Sequence, residues 1–266
     1  MEPAATDLTT RRMTVSCLMV TMTSRLAFVR RSIADYCRQT WPAKDLVLAI
    51  SGEESLVEAL REHVASLGRD DIRVLTLPAA CSLGEARNFS LEAATGDIIC
   101  QWDDDDLHHP QLLERQLFVL TEGDFEAVYL QEVMHYFVEA KNLYWTNWRA
   151  TEAAGMPGTL MARRNVPIHY PTKGAQAHLG EDSEVARALI ARGRVGYLAG
   201  MPHLYIYVSH GANSWHDGHH RMLADTLSIS RALLLRREVG IREGLAECGF
   251  PGGISMMGSN GPAFRL

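Results

Sequence analysis

The sequence predicts an α/β fold: a mostly parallel, doubly wound sheet with helices on both faces. Three observations carry that expectation. β-rich apolar runs alternate with amphipathic stretches through the first hundred or so residues. The amphipathic stretches bring their own start and stop residues. The polar residues suited to chemistry fall just after the apolar runs, and ligands of such sheets bind at the carboxyl ends of the strands.

The elements follow in order. "MEPAATDLTTRR" (1–12) reads as a loose leader. Arg11 and Arg12 before "MTVSCLMVTM" imitate a secretory signal, but the apolar core is short and threonine-studded, with no small-residue cleavage site behind it. "MTVSCLMVT" (13–21) is therefore a first, buried strand. "SRLAFVRRSIADYCRQTW" (24–41) spaces Leu26, Val29, Ile33, Tyr36 and Cys37 as a helix does, with Ser24 as N-cap and Pro42 as stop. "DLVLAIS" (45–51) is a second strand, and "EESLVEALREHVASLG" (53–68) a helix closing on Gly68. "DIRVLTL" (71–77) is a third strand. In "SLGEARNFSLEAATG" (82–96) Ser82 and Glu85 have capping-box spacing and Gly96 ends the helix. "DIICQW" (97–102) is the fourth strand.

The second half reads differently. "AVYLQEVMHYFVEAKNLYWTNW" (127–148) holds strand-like runs around a turn near Lys141, and "PGTLMARR" (157–164) is a short strand. "GEDSEVARALIARG" (180–193) is a helix with acidic residues at its start and arginines near its end, as the macrodipole prefers. "PHLYIYVSH" (202–210) is a strand, residues 219–247 a long helical stretch, and the glycine-rich residues 248–266 a flexible tail.

Bulk properties exclude several classes. The 266 residues suffice for one large α/β domain, and 47% hydrophobic with 22% charged residues is ordinary globular composition. A formal charge of −6 argues against a non-specific nucleic-acid binder. The five cysteines form no CxxC pair, so neither a disulfide framework nor a cysteine zinc site is indicated; reduced thiols fit a cytoplasmic protein. No apolar run approaches the ~20 residues of a membrane span.

The densest signal is "CQWDDDDLHHP" (100–110), four aspartates directly after a buried strand. Two carboxylates ~5 Å apart repel by roughly 3 kcal/mol at an effective dielectric near 20. Such a run is a solvated turn or a cation site, and its place at a strand end favours the site.

Together with that run, "LGEARNFSLEAATGDIICQWDDDDLHHPQLLERQ" (83–116) resembles the donor segment of family 2 inverting glycosyltransferases. There a helix of A-x-R-N type precedes a strand that ends in a D-x-D motif. "MTVSCLMVTMTSR" is similar to that family's first strand and nucleotide loop, "LGEDSEVARALIARG" to its second acidic motif, and "YVSHGANSW" (207–215) to its closing segment. The resemblance implies a GT-A-like, Rossmann-like fold with a smaller mixed acceptor-side region and a C-terminal helix. It divides the chain into a donor half (13–120), an acceptor-side, catalytic half (121–216), a helical extension (217–247) and the tail.

By the same resemblance the reaction is hexosyl transfer from a nucleotide-diphosphate sugar, UDP-linked by preference, with Mn²⁺ or Mg²⁺ held by hard oxygen ligands. Asp105 would ligate the metal, Asp103 would face the ribose or a metal-bound water, Asp104 would assist on the nucleotide side, and His210 would complete the metal shell or touch the diphosphate. Asp106 would cap the helix after Pro110. Asp182, with Glu181 beside it, matches the base that deprotonates the acceptor, and a helix-start carboxylate would have a lowered pKa. Thr21, Thr23, Arg25 and Arg87 would meet the nucleotide and its diphosphate. Many members read the nucleobase with an aspartate after the second strand; this chain has "ISGEES", which leaves Glu53 for that task. The aromatic run "YFVEAKNLYWTNW" would line an acceptor pocket, for a saccharide, lipid-linked, peptide or small-metabolite acceptor. The C-terminal helix offers a surface for a homo-oligomer. His216, His219 and His220 lack the ordered spacing of a zinc site. A sugar nucleotidyltransferase and a non-catalytic nucleotide-sugar-binding module are the competing readings. The first would carry a glycine- and arginine-rich loop where this chain has "TMTSRLAF", and the second would not need both acidic motifs.

Overall fold

A computed structural model describes residues 13–78, 80–248 and 252–266. The leader expected over residues 1–12 lies outside the described residues. Two sheets organise the rest.

The larger sheet grows from β1 (Val15–Met22), which lies between β2 (Lys44–Ser51) and β4 (Ile98–Gln101), parallel to both. β1 is apolar on both faces, as a central strand covered on both sides must be: Cys17 and Met19 enter one core, Leu18 another. β3 (Ile72–Thr76) adds parallel to β2. On the other side β9 (Met161–Arg163) runs antiparallel between β4 and β6 (Ala127–Leu130), and β10 (Val195–Leu198) pairs parallel with β6. The order of this 7-stranded sheet is β10-β6-β9-β4-β1-β2-β3. It is parallel throughout except for β9.

The crossover helices are α1 (Leu26–Cys37), α2 (Glu54–Ser66) and α3 (Leu83–Ala93), then α4 (Leu112–Glu122). α3 has the cap that its sequence predicts, Ser82 and Glu85 forming the reciprocal capping box, and α2 closes as expected on Gly68 at φ +62°. Ser24 instead lies inside a short 3-10 turn before α1 and caps nothing.

The second sheet has six strands in the order β13-β12-β8-β7-β11-β5. It joins β5 (Leu107–His108), β7 (Glu132–Phe137), β8 (Asn142–Asn147) and β11 (Tyr205–Ser209) to a terminal hairpin. The β7–β8 turn carries Lys141 at φ 51°, where the sequence placed it.

Two expectations for the C-terminal region are corrected. Residues 252–266 are not a flexible tail: β12 (Ser255–Gly258) and β13 (Gly261–Arg265) pair antiparallel, and β12 also pairs parallel with β8. The glycines hide an alternation that buries Ile254 and Met256 fully in the second core. The long helix expected over 219–247 is three: α6 (Asp217–Leu227), α7 (Arg231–Arg236) and α8 (Glu238–Leu245). Ser228 leaves the helix to bridge Thr146 in β8, and the Ser230 hydroxyl then caps α7. No helix among the described residues is long and apolar enough to cross a membrane. All five cysteines are free.

Candidate active site

A cleft opens at the carboxyl ends of β1 and β4. Its walls come from the segment after β1 (Arg25), from α3 (Leu83, Arg87), from Asp103–Asp106, from the start of helix α5 (Glu181–Arg192), and from the segment after β11 (Asn213, Trp215). The strand-end position expected of the aspartates is what gathers these segments.

The four aspartates point in four directions. Asp103 accepts from the Arg87 guanidinium (3.1 and 3.2 Å) and from Gln101 (3.2 Å). Asp104 accepts the Thr21 hydroxyl and pairs with Arg25 at 3.2 Å. Asp105 is met by Arg25, by His210 Nε2 at 3.0 Å and by Asn213 at 3.4 Å. Asp106 is 1% exposed and accepts from the Tyr205 hydroxyl and the Val208 amide (2.7 Å). Asp106 therefore does not cap the helix after Pro110, and α4 has no side-chain cap. A buried tyrosine and a strand amide claim it instead.

The protonation equilibria differ accordingly. Burial raises Asp106 well above the ordinary carboxylate value, with Asp105 and Asp103 adding to the effect. Burial and Asp105 push Asp104 up to about 7, against the pull of Arg25. Asp105 moves the other way: burial opposes ionisation, but His210 and Arg25 together hold it below the usual range.

The second acidic pair divides its work. Glu181 is 3% exposed and held by Arg87 Nε at 2.7 Å, so Arg87 ties it to Asp103. Asp182 keeps Oδ2 toward the cleft while its Oδ1 accepts the Ser183 amide at 2.7 Å. A side chain at Gly158 would stand 3.3 Å from Asp103 Oδ2 and 3.9 Å from Asp182 Oδ2. The two carboxylates thus face one another over a backbone with no side chain. Instead of the lowered pKa expected at a helix start, burial and Glu181 raise Asp182 to about 6.

On the nucleotide side the loops after β1 and β2 meet. Thr23 Oγ1 accepts the Glu53 amide at 3.3 Å, and Thr23 packs over Gly52, whose φ of +130° leaves no room for a Cβ. Thr23 and Glu53 stand at this rim, outside the lining of the aspartate cleft.

The residues test the expected metal site on their own chemistry. Asp105 Oδ2 and His210 Nε2 converge, but Asp103 is turned to Arg87. No group of three or more His, Cys, Asp or Glu suited to an ion occurs among the described residues. The expected trio of Asp103, Asp105 and His210 is thus a pair. A hard divalent cation that takes one or two protein ligands and completes its shell with phosphate oxygens and water fits such a pair. Of the nearby histidines, His216 Nδ1 caps α6, and His220 is buried against His135.

Several site residues carried no signal of their own in the sequence. Phe28 stacks on His210 (4.4 Å between centroids) and carries Arg25 and Arg31 near its ring. Tyr170 bonds Gln101 at 3.2 Å, and Gly158 and Trp215 complete the cleft. Asn213, three residues after His210, accepts the His210 amide at 2.9 Å. The predicted acceptor aromatics lie elsewhere. Trp145 packs in the second core, and Trp148 donates its indole N–H to Thr146 at 3.2 Å, away from this cleft.

Comparison with known proteins agrees with this architecture. The chain resembles residues 1–349 of S. aureus TarS at a TM-score of 0.59 and 14% identity, over 88% of this chain and 74% of that one. The same TarS fragment in complex with UDP-GlcNAc aligns at 0.59 and 13%, over 90% and 68%. The Pyrobaculum calidifontis mannosyltransferase PcManGT, in complex with GDP-Man and Mn²⁺, aligns at 0.56 and 15%, over 87% and 63%. No curated protein matches the chain. These likenesses establish the GT-A fold. The sequence pattern of glycosyl transferase family 2 matches residues 16–177, more than half of the chain. With its strand-end aspartates and second acidic pair facing one cleft, the chain belongs to glycosyl transferase family 2.

Proposed function

We propose that the protein transfers a hexose from a nucleoside-diphosphate sugar, a UDP-sugar by preference, to an acceptor hydroxyl with inversion at the anomeric carbon. The observation that carries the reading is the juxtaposition, in one cleft, of an open carboxylate on Asp182 and the Asp103–Asp105 strand end. UDP-GlcNAc in TarS, and GDP-Man with Mn²⁺ in PcManGT, support a donor of this class and a divalent ion.

The roles follow from the contacts. Arg87 fixes Asp103 and Glu181 together and so orients the donor side. Thr21 and Arg25 hold Asp104 and Asp105, with Arg25 placed to turn its guanidinium to an arriving diphosphate. Asp105 and His210 would hold Mn²⁺ or Mg²⁺, which when bound neutralises charge on the leaving diphosphate. Asp182 takes the acceptor proton as the acceptor oxygen bonds to the anomeric carbon. The bond from that carbon to the diphosphate oxygen breaks, and its electron pair leaves with the nucleoside diphosphate. Glu181, already bound by Arg87, is the positioning partner.

The test is incubation with radiolabelled UDP-glucose, UDP-GlcNAc or GDP-mannose, with and without Mn²⁺. The expected products are a glycosylated acceptor, or free sugar from slow hydrolysis, together with nucleoside diphosphate. A nucleotidyltransferase would instead leave these donors intact until inorganic pyrophosphate is added, and would then convert them to nucleoside triphosphate and sugar 1-phosphate. Binding without turnover of any donor would leave a binding module and overturn the proposal. A thermal-shift series with UDP and Mn²⁺ checks the cation pair: Asp105→Ala should abolish the Mn²⁺-dependent part of the stabilisation. That part is about 2.7 kcal/mol for a ligand at 100 times its dissociation constant.

A further inference from the structure

With Trp145 and Trp148 directed elsewhere, the tryptophan that lines the cleft is Trp215. One face of its indole stacks on His219, centroids 4.1 Å apart at 18°. Cζ2 comes within 3.7 Å of the place where a Cβ on Gly180 would stand. Gly180 sits at φ +78° and directly precedes Glu181 and Asp182. The ring is therefore held rigid from behind and stands beside the proposed base. It belongs to the segment after β11, not to the loops after β1 and β2 that carry Thr23 and Glu53.

We infer that Trp215 is the platform of an acceptor subsite and that the acceptor is a saccharide. This rests on the transferase reading given above. A pyranose offers one C–H-rich face with hydroxyls at its edge, the complement of an immobilised indole face beside a proton acceptor. The same cleft lining includes the polar Ser214 and Asn213 and the apolar Met156 and Leu179. A lipid-linked acceptor would need an apolar track leading to Asp182. Among the described residues no large exposed apolar side chain lines this cleft, Met22 at the end of β1 included.

The experiment uses the full chain with Mn²⁺ and radiolabelled donors. The acceptor probes are methyl β-glucoside, N-acetylglucosamine, cellobiose and maltotriose, against a Ser/Thr peptide, glycerol phosphate and a polyprenyl phosphate. Transfer to at least one saccharide is expected. Trp215→Ala should raise the KM for that saccharide at least about fivefold, with a much smaller change in the donor KM, and Trp215→Phe should recover part of the loss. The same split should appear in binding: titrating the saccharide into UDP- and Mn²⁺-saturated protein should quench indole fluorescence less in Trp215→Phe than in wild type. Transfer only to the peptide, glycerol phosphate or lipid overturns the inference, as do hydrolysis with no saccharide accepted and a saccharide KM that ignores Trp215. All of these leave the transferase reading intact. No turnover of any donor overturns that reading and this one together.

Discussion

At Asp182 two influences oppose each other. The positive end of α5 favours the carboxylate, but such a helix end contributes only about 0.3–1 kcal/mol. Burial beside Glu181 disfavours it, and burial wins, raising the group to about 6. The consequence for catalysis has a definite sign. A base works deprotonated, so kcat should rise with pH through about 6 and level above it. Arg87, Asp103 and Glu181 are the charged groups acting on it. Asp182→Asn should keep donor affinity near wild type, lose at least ~100-fold in kcat and lose the pH limb, all visible in steady-state rates at saturating donor. Asp103, Asp104, Asp105 and His210 stood out in the sequence because they come just after strands, and Asp182 because it opens a helix; Thr21, inside β1, and Arg87, in the middle of α3, stood out only through the family resemblance. Asp106 was misread because its partner, Tyr205, is 99 positions away in the chain. Gly158 was invisible for a related reason, and Trp215 was seen only as the end of the closing segment, because what brings them to the cleft is the return of distant segments.

At the scale of elements, α3 shows how closely the donor half is fitted. Gly84, in its first turn, lies against the Pro171 carbonyl with no space for a Cβ. Asn88 on the same helix exchanges two hydrogen bonds of 2.9 Å with the Tyr170 backbone. Gly84→Ala should therefore force apart two segments that carry Arg87 and Tyr170. We expect a loss of about 1–3 kcal/mol, measured as a lower urea midpoint at unchanged slope, despite alanine's better helix propensity. The strand–helix alternation of this half was readable because parallel strands are long apolar runs separated by helical periodicity. The second sheet was readable only in part. Its outer members are the two-residue β5 and the hairpin of β12 and β13, whose glycines suggested mobility. Short mixed strands gain their structure from neighbours, and a single sequence does not show its neighbours.

Across the whole molecule, the terminal hairpin is part of the core and not an appendage. Met256 is fully buried with Trp145, Leu143 and Ile241, and the hairpin extends the sheet through β8. Met256→Ala should cost about 2–5 kcal/mol in equilibrium unfolding, a value foreign to a mobile tail. A loss below ~0.5 kcal/mol, typical of exposed positions, would return the segment to that status.

The crowd of carboxylates in the cleft has one more consequence, for long-range forces. Asp103, Asp104, Asp105, Glu181 and Asp182 line it, and the described basic side chains of the lining are Arg25 and Arg87. The formal charge of the chain is −6 as well. A nucleoside diphosphate approaching alone therefore climbs a repulsive potential, which ions screen over about 8 Å at physiological strength. Raising monovalent salt should then tighten the binding of metal-free UDP, the reverse of the usual response of an anion site. With Mn²⁺ bound to the UDP, the climb shrinks and the salt dependence should flatten. That pair of salt responses, measured by titration, would mean that the cleft sorts nucleotides by charge state before any contact is made.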